Sequence, residues 1–298
     1  MTYTSAPPPP PASAAVGSTE TLRAPVGMRP RLVLVARDGG EGPAYPVRET
    51  TDIGRDIGRS EGHVVVADDR FVSPRHARIA LRAGSYYLRD LASTNGVFLR
   101  IPFVRELKSP APRAARGGLA FATGSAAAAG EKDEEEKQTT ASSEQPLADQ
   151  DLFLVGQQVL RFEVVKDAEE GFGVASENGT LLFGTPAAPR YARLCQRTVE
   201  GVIRDVFHVR KAETVIGRES GDIVFTDDPF LSRRHAVLRV HGGMTGAGAP
   251  RHFTLSDMGS SNGTFLQIRE EVRLRNGDHF RVGQQLFRFD LDTVRVDA

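Results

Sequence analysis

Two sets of residues in this chain have the types and the spacing to hold a phosphate. The first runs Ile57-Gly58-Arg59, Ser73-Pro74-Arg75-His76 and Ser93-Thr94-Asn95-Gly96. The second runs Ile216-Gly217-Arg218, Ser232-Arg233-Arg234-His235 and Ser260-Ser261-Asn262-Gly263. Arg59 and Ser73 are as far apart in sequence as Arg218 and Ser232. A phosphate monoester carries nearly two negative charges and three strong acceptor oxygens. An Arg guanidinium meets it with a planar fork of donors, and a Ser hydroxyl adds a short one. Arg75, Arg233 and Arg234 add positive potential beside each Ser. The Asn-Gly pairs favour tight turns with positive φ, and a turn Asn can clamp the main chain of a bound peptide with its amide.

Other chemistries find less support. Ser232, His235 and Asp257 have the residue types of a nucleophile triad, but no G-x-S-x-G elbow accompanies them. Gly171-Phe172-Gly173 lacks the third Gly of a dinucleotide fingerprint. His208, His235, His241, His252 and His279 show no ligand spacing, and Cys195 is the only cysteine. The expectation is therefore no metal, no cofactor, no disulfide and no catalysis. Lys plus Arg and Asp plus Glu both number 38, and this balance argues against a general binder of nucleic acid or membrane surface. No run reaches the roughly 20 apolar residues of a membrane span, and no secretory signal is visible, which predicts a cytoplasmic protein.

The elements that must position these residues read as short strands. Arg31-Leu32-Val33-Leu34-Val35, His63-Val64-Val65-Val66, His76-Ala77-Arg78-Ile79-Ala80-Leu81 and Ser85-Tyr86-Tyr87-Leu88-Arg89 are separated by turn signals, with no long helical period between them. Many short strands at regular spacing predict an all-β sandwich or barrel. The repeat continues beyond the Asn. Leu147-Ala148-Asp149-Gln150-Asp151-Leu152-Phe153 precedes Val155-Gly156-Gln157-Gln158-Val159-Leu160-Arg161-Phe162, and Leu274-Arg275-Asn276-Gly277-Asp278-His279-Phe280 precedes Val282-Gly283-Gln284-Gln285-Leu286-Phe287-Arg288-Phe289.

Changes of spacing between the copies locate the insertions. The first copy gains a long one at about residues 108–146, and the second a short loop between His241 and Pro250. Residues 1–28, with Pro7 to Pro11, read as a disordered Pro/Ala-rich tail. The boundaries expected are a first domain at 29–166, a linker at 167–190 and a second domain at 191–298. Thr139 and Thr140 follow an acidic run, and Ser18-Thr19-Glu20-Thr21 lies in the tail. Either segment offers a kinase target that the chain's own pocket could bind, at the roughly millimolar effective concentration of a tethered ligand.

Gly-Arg, Ser-x-x-His and Ser-x-Asn-Gly, in this order among short strands, resemble the forkhead-associated (FHA) domain. The resemblance covers about residues 31–165 without the insertion, and again about 192–292. It implies two eleven-stranded β-sandwiches in tandem, in a bacterial-looking chain, each with a pocket built from loops at one end. It further implies recognition of phosphothreonine peptides on Ser/Thr kinases or their substrates. Arg59 and Arg218 then match the phosphate-binding Arg, and Ser73 and Ser232 the phosphate-contacting Ser. Arg233 matches a polar contact after the Ser. Thr94 and Ser261 match the hydroxyl residue before the Asn, and Asn95 and Asn262 the peptide clamp. Gly58, Gly217, His76, His235, Gly96 and Gly263 support the pocket. The alternative is an FHA-fold scaffold that binds partners without phosphate.

The copies differ. Ile53-Gly54-Arg55 is a second candidate for the first element, but only Arg59 has the spacing of the second copy, so Arg55 is expected at the rim. Pro74 stands where the second copy has Arg233, and Val97 where it has Thr264. Both changes weaken the first pocket.

Overall fold

The computed structural model describes residues 28–36, 39–56, 62–102, 144–165, 175–185, 190–242 and 251–293. The N-terminal tail, Gly58, Arg59, Thr139 and Thr140, and much of the expected linker lie outside the described residues. Every regular element described is a strand. The first copy forms β1 (Met28–Val35), β2 (Glu41–Pro46), β3 (Thr50–Gly54), β4 (Val64–Val65), β5 (Ala77–Arg82), β6 (Ser85–Asp90) and β7 (Val97–Arg100). Beyond the insertion come β8 (Gln145–Leu147), β9 (Leu152–Val155) and β10 (Gln158–Val164). The linker carries a small hairpin, β11 (Ser176–Glu177) with β12 (Thr180–Leu181). The second copy forms β13 (Ala192–Arg197), β14 (Ile203–Val209), β15 (Glu213–Gly217), β16 (Ile223–Val224) and β17 (Ala236–His241). It continues with β18 (His252–Asp257), β19 (Thr264–Gln267), β20 (Val272–Arg273), β21 (His279–Val282) and β22 (Gln285–Thr293).

Side-chain alternation explains the strands. In β9, Phe153 and Val155 are buried while Leu152 and Leu154 are half-buried. In β21, Phe280 and Val282 are buried between half-buried neighbours. Period-two burial is the mark of a strand that gives one face to a core.

The strands assemble into one ten-stranded sheet, ordered β14-β13-β10-β9-β19-β7-β21-β22-β1-β2, and two five-stranded sheets, β20-β6-β5-β3-β4 and β16-β15-β17-β18-β8. Each five-stranded sheet shares a core with one half of the long sheet, giving two sandwiches of ten described strands each. The join between the halves is β7 against β19, antiparallel, with Phe265 opposite Arg100 and Gln267 opposite Phe98.

The expected boundaries 29–166 and 191–298 require correction, because the two copies exchange their last strands. The first sandwich packs Leu32, Ile53, Ile79, Leu88 and Leu99 against Phe280, Val282, Phe287 and Phe289 of the second copy. The second packs Leu194, Ile216, Leu238, Leu255 and Leu266 against Phe153, Val155, Leu160 and Phe162 of the first. The physical reason lies in the pairing of β7 with β19. Each of these strands runs towards the other copy, so Ile101 enters the second core and Ile268 the first. Burying a large apolar side chain stabilises by about 1.5–3 kcal/mol, so the four from each hairpin contribute on the order of 10 kcal/mol. That is as large as the whole stability of an ordinary domain. In this arrangement each sandwich is closed by strands of the other copy. The insertion boundary at 146 also moves, since Gln145–Leu147 pairs with β18 as an edge strand.

Candidate phosphate-binding sites

Both sites form where the ends of β3 or β15 meet the loops before β5 and β7, or before β17 and β19. Their backbones superpose bond for bond. Arg218 N donates to Ser232 O, His235 N to Ile216 O and Phe225 N to Gly217 O. In the first site the equivalent bonds are Arg55 N to Ser73 O, His76 N to Ile53 O and Val66 N to Gly54 O. The parallel pairings Ile53–Val64 and Ile216–Ile223 have the same register. Arg55, not Arg59, therefore stands in the position of Arg218. Equal spacing to the Ser was misleading because the loop between β3 and β4 is longer in the first copy, running from Arg55 to His63 against Arg218 to Asp222. Gly54 likewise takes the place expected for Gly58. Arg55 is exposed and Arg218 half-buried. Gly217 is packed so closely that a Cβ there would overlap the carbonyl of Arg233.

The serine loops are braced identically. Ser73 N donates to His76 Nδ1 at 3.0 Å, and Ser232 N to His235 Nδ1 at 3.1 Å. With Nδ1 accepting, Nε2 carries the proton and donates to Gly96 O or Gly263 O, at 3.0 and 3.2 Å. Both imidazoles are fully buried. Burial holds His235 below its ordinary value, against the opposing pull of the Gly263 carbonyl and Asp257. Ser73 Oγ accepts from Thr94 N at 3.0 Å and lies 3.5 Å from Thr94 Oγ1. Ser232 Oγ accepts from Ser261 N at 3.2 Å. Asn95 Nδ2 and Asn262 Nδ2 donate to Phe71 O and Phe230 O at 2.9 and 2.8 Å. Each Asn thus ties its own turn to the serine loop.

Beneath each Asn turn sits an aspartate. Asp90 accepts from the N and Oγ of Ser93, and Asp257 from those of Ser260. Gly96 and Gly263 adopt φ near +83° and +79°, a region that glycine enters without strain. Thr264 Oγ1 adds a third donor to Asp257, at 2.8 Å, and Val97 has no counterpart to it.

The charges also differ. Arg218 is paired with Glu219 at 2.8 Å, both partly solvated, so an incoming phosphate must displace a carboxylate. Arg75, largely exposed, lies 3.5 Å from Asp52, whose carboxyl the Arg78 guanidinium holds below the usual range. Arg233 and Arg234 are exposed beside Ser232. Beside the first site opens a groove of about 440 Å³ lined by Tyr45, Val66, Phe71 and Phe287. In the second sandwich, Phe207 and Phe225 stack edge to face with ring centroids 5.5 Å apart.

A family model for the FHA domain matches residues 51–111 and 214–283. It begins three residues before Gly54 and three before Gly217, the register the hydrogen bonds define. The "Oxoglutarate dehydrogenase inhibitor" of Corynebacterium diphtheriae is 30% identical over 128 residues, which cover 42% of this chain and 81% of that relative. The chain belongs to the FHA family. The "Glycogen accumulation regulator GarA" of Mycolicibacterium smegmatis is 37% identical over 81 residues, 26% of this chain and 46% of that relative. A solved structure, "Mycobacterium tuberculosis EmbR in complex with low affinity phosphopeptide", is 28% identical and covers 32% of this chain and 26% of that one, with a TM-score of 0.16. This chain carries two such FHA units, and no helix among its described residues is long and apolar enough to cross a membrane. Sequence reasoning missed Arg100 and Gln267, which lie against Gly263 and Gly96 of the opposite FHA site. The only signal for either was its position at the end of a strand after Asn-Gly.

Proposed function

We propose that this protein is a non-enzymatic signalling adaptor whose FHA sites bind phosphothreonine on partner proteins, Ser/Thr kinases or their substrates among them, in the cytoplasm. The observation that carries this reading is the second site. There Arg218, Ser232 and Asn262 come from three separate loops that are bonded to one another by backbone and side chain. These loops carry a half-buried guanidinium, a hydroxyl and the exposed Arg233, and that donor set suits a phosphate. The same geometry speaks against a Ser-His nucleophile. His235 Nδ1 is occupied by the backbone N–H of Ser232 and Nε2 by Gly263 O, which leaves no nitrogen for a Ser proton.

The test is a titration of matched phosphothreonine, phosphoserine and unmodified peptides onto the full chain and onto Arg218→Ala. Binding of the phosphothreonine peptide alone, weakened in Arg218→Ala, supports the reading. Equal binding with and without phosphate rejects it and leaves a phosphate-independent scaffold.

A further inference from the structure

The exchanged hairpins do more than fill the cores. Asp69 and Asp228 open the two serine loops and are both nearly fully buried. Asp69 Oδ1 accepts from Phe71 N at 2.9 Å, and its Oδ2 accepts from Gln284 N at 2.7 Å and Gln285 Nε2 at 3.1 Å. Asp228 repeats the arrangement with Phe230 N at 3.0 Å, and with Gln157 N and Gln158 Nε2 both at 2.8 Å. The carbonyls of Phe71 and Phe230 are those gripped by Asn95 and Asn262. A line of bonds thus runs from each hairpin, through a buried carboxylate, to the Asn and Ser of a site. Buried carboxylates need their donors, because an unsatisfied charge there costs far more than a surface one. The hairpins also press sterically. A Cβ on Gly283 would lie 2.7 Å from Val72 Cγ2 and 2.9 Å from Asp69 Oδ2, and one on Gly156 would lie 2.7 Å from both Asp228 Oδ2 and Leu231 Cδ1.

We propose that the two sites are cross-positioned. Gly283, Gln284 and Gln285 of the second copy set the serine loop of the first site, and Gly156, Gln157 and Gln158 of the first copy set that of the second. These six are positioning residues that act through Asp69 and Asp228. The consequence for ligand binding rests on the phosphothreonine reading above, whereas the positioning itself does not.

The experiment uses Gly283→Ala and Gly156→Ala in the full chain. Amide hydrogen exchange of the unliganded protein reads the loops directly. A single phosphothreonine peptide then reads the first site in an Arg218→Ala background and the second in an Arg55→Ala background. Gly283→Ala is expected to speed exchange across residues 69–73 and to weaken the first site by about tenfold, with the second within about twofold. Gly156→Ala is expected to do the reverse at residues 228–232. General destabilisation would move both loops together, so a crossed pattern is the signature. Faster exchange in the loop of the same copy, or equal change in both loops, overturns the proposal. If either glycine variant fails to fold, Gln285→Ala, which removes the bond to Asp69, and Gln158→Ala, which removes the bond to Asp228 and the one from Gln196 Nε2, are read in the same way. A crossed exchange pattern without any peptide binding upholds the positioning and defeats the phosphothreonine reading alone.

Discussion

Replacing Arg55 and Arg59 separately by Ala distinguishes backbone register from sequence spacing as the guide to the first site. On the phosphothreonine reading proposed above, the Arg at this position would make two charge-assisted hydrogen bonds to phosphate, each worth about 1.5–3 kcal/mol. From that the second site must subtract the Arg218–Glu219 pair, which is 33% and 53% exposed and is therefore worth about 0.2–1 kcal/mol. Removing the Arg is thus expected to cost roughly 2–6 kcal/mol, or about 30-fold or more in Kd. Arg55 N is bonded to Ser73 O as Arg218 N is to Ser232 O, so this loss falls on Arg55→Ala. Arg55 already occupies the backbone position of Arg218, so Arg59→Ala is expected to change Kd by no more than about twofold. Isothermal titration with one phosphothreonine peptide, in an Arg218→Ala background that isolates the first site, measures both. A tenfold or greater loss in Arg59→Ala with little change in Arg55→Ala would refute the register argument.

Three further outcomes follow from the geometry. Thr264→Val removes the third donor to Asp257 without changing shape, so it should destabilise the chain by about 1 kcal/mol, measured as a lower denaturation midpoint. The reverse change, Val97→Thr, should recover part of that amount at Asp90. Burial holds His235 and His279 below their ordinary value of 6.5. The unfolded chain therefore protonates first on acidification. Their contribution to stability is complete above pH 6.5 and falls away as the pH drops below it. Denaturation midpoints between pH 7 and pH 5 should show this loss with a shallower slope in His235→Gln, and an unchanged slope would remove His235 as a cause. Finally, β7 and β19 run antiparallel with Ile101 N bonded to Thr264 O and Ile268 N to Val97 O, so Val97 and Thr264 lie about 14 Å apart along the strands. The two Asn turns project beyond opposite ends. A peptide with two phosphothreonines three residues apart should bind no more tightly than a singly phosphorylated one, and an avidity gain above twofold would contradict this placement.

What could be read from the sequence was local. Short apolar runs such as Ala77–Leu81 and the alternating Tyr86–Leu88 named the strands, and Asn-Gly named the turns, because a sheet face and a positive φ each leave a mark on residue type. The Ser, His and Asn positions that the structure brings together in both sites were legible, since the same types recur at similar spacing. The Arg of the first site was not. Counting back from Ser73 presumes equal loops, whereas the extra residues between β3 and β4 put Arg59 at the counted distance and Arg55 at the structural one. The exchange of hairpins was not legible at all. Val155-Gly156-Gln157-Gln158 and Val282-Gly283-Gln284-Gln285 have the same pattern, so the pattern itself does not tell which hairpin belongs to which sandwich. Only long-range pairing decides between them, and no local residue records it.

The exchange alters what the asymmetry of the two sites means. Judged by sequence, the first copy is expected to be the weaker binder, with Pro74 beside its Ser and Val97 beneath its Asn turn. In two independent sandwiches such a copy could be deleted with little effect on its neighbour. Here it cannot. Phe153, Val155, Leu160 and Phe162 of the first copy lie in the second core, and Gln157 and Gln158 hold the aspartate that opens the second serine loop. Even a first site that bound nothing would leave the first copy indispensable to the second. Truncating the chain to residues 191–298 should therefore yield an unfolded product rather than a working half. The same segment supplied in trans with residues 28–165 should recover the fold, because every exchanged contact lies within those two pieces. A truncated 191–298 that folds alone with a full complement of protected strand amides would show that the hairpin can close its own sandwich. The coupling between the sites would then not be obligatory.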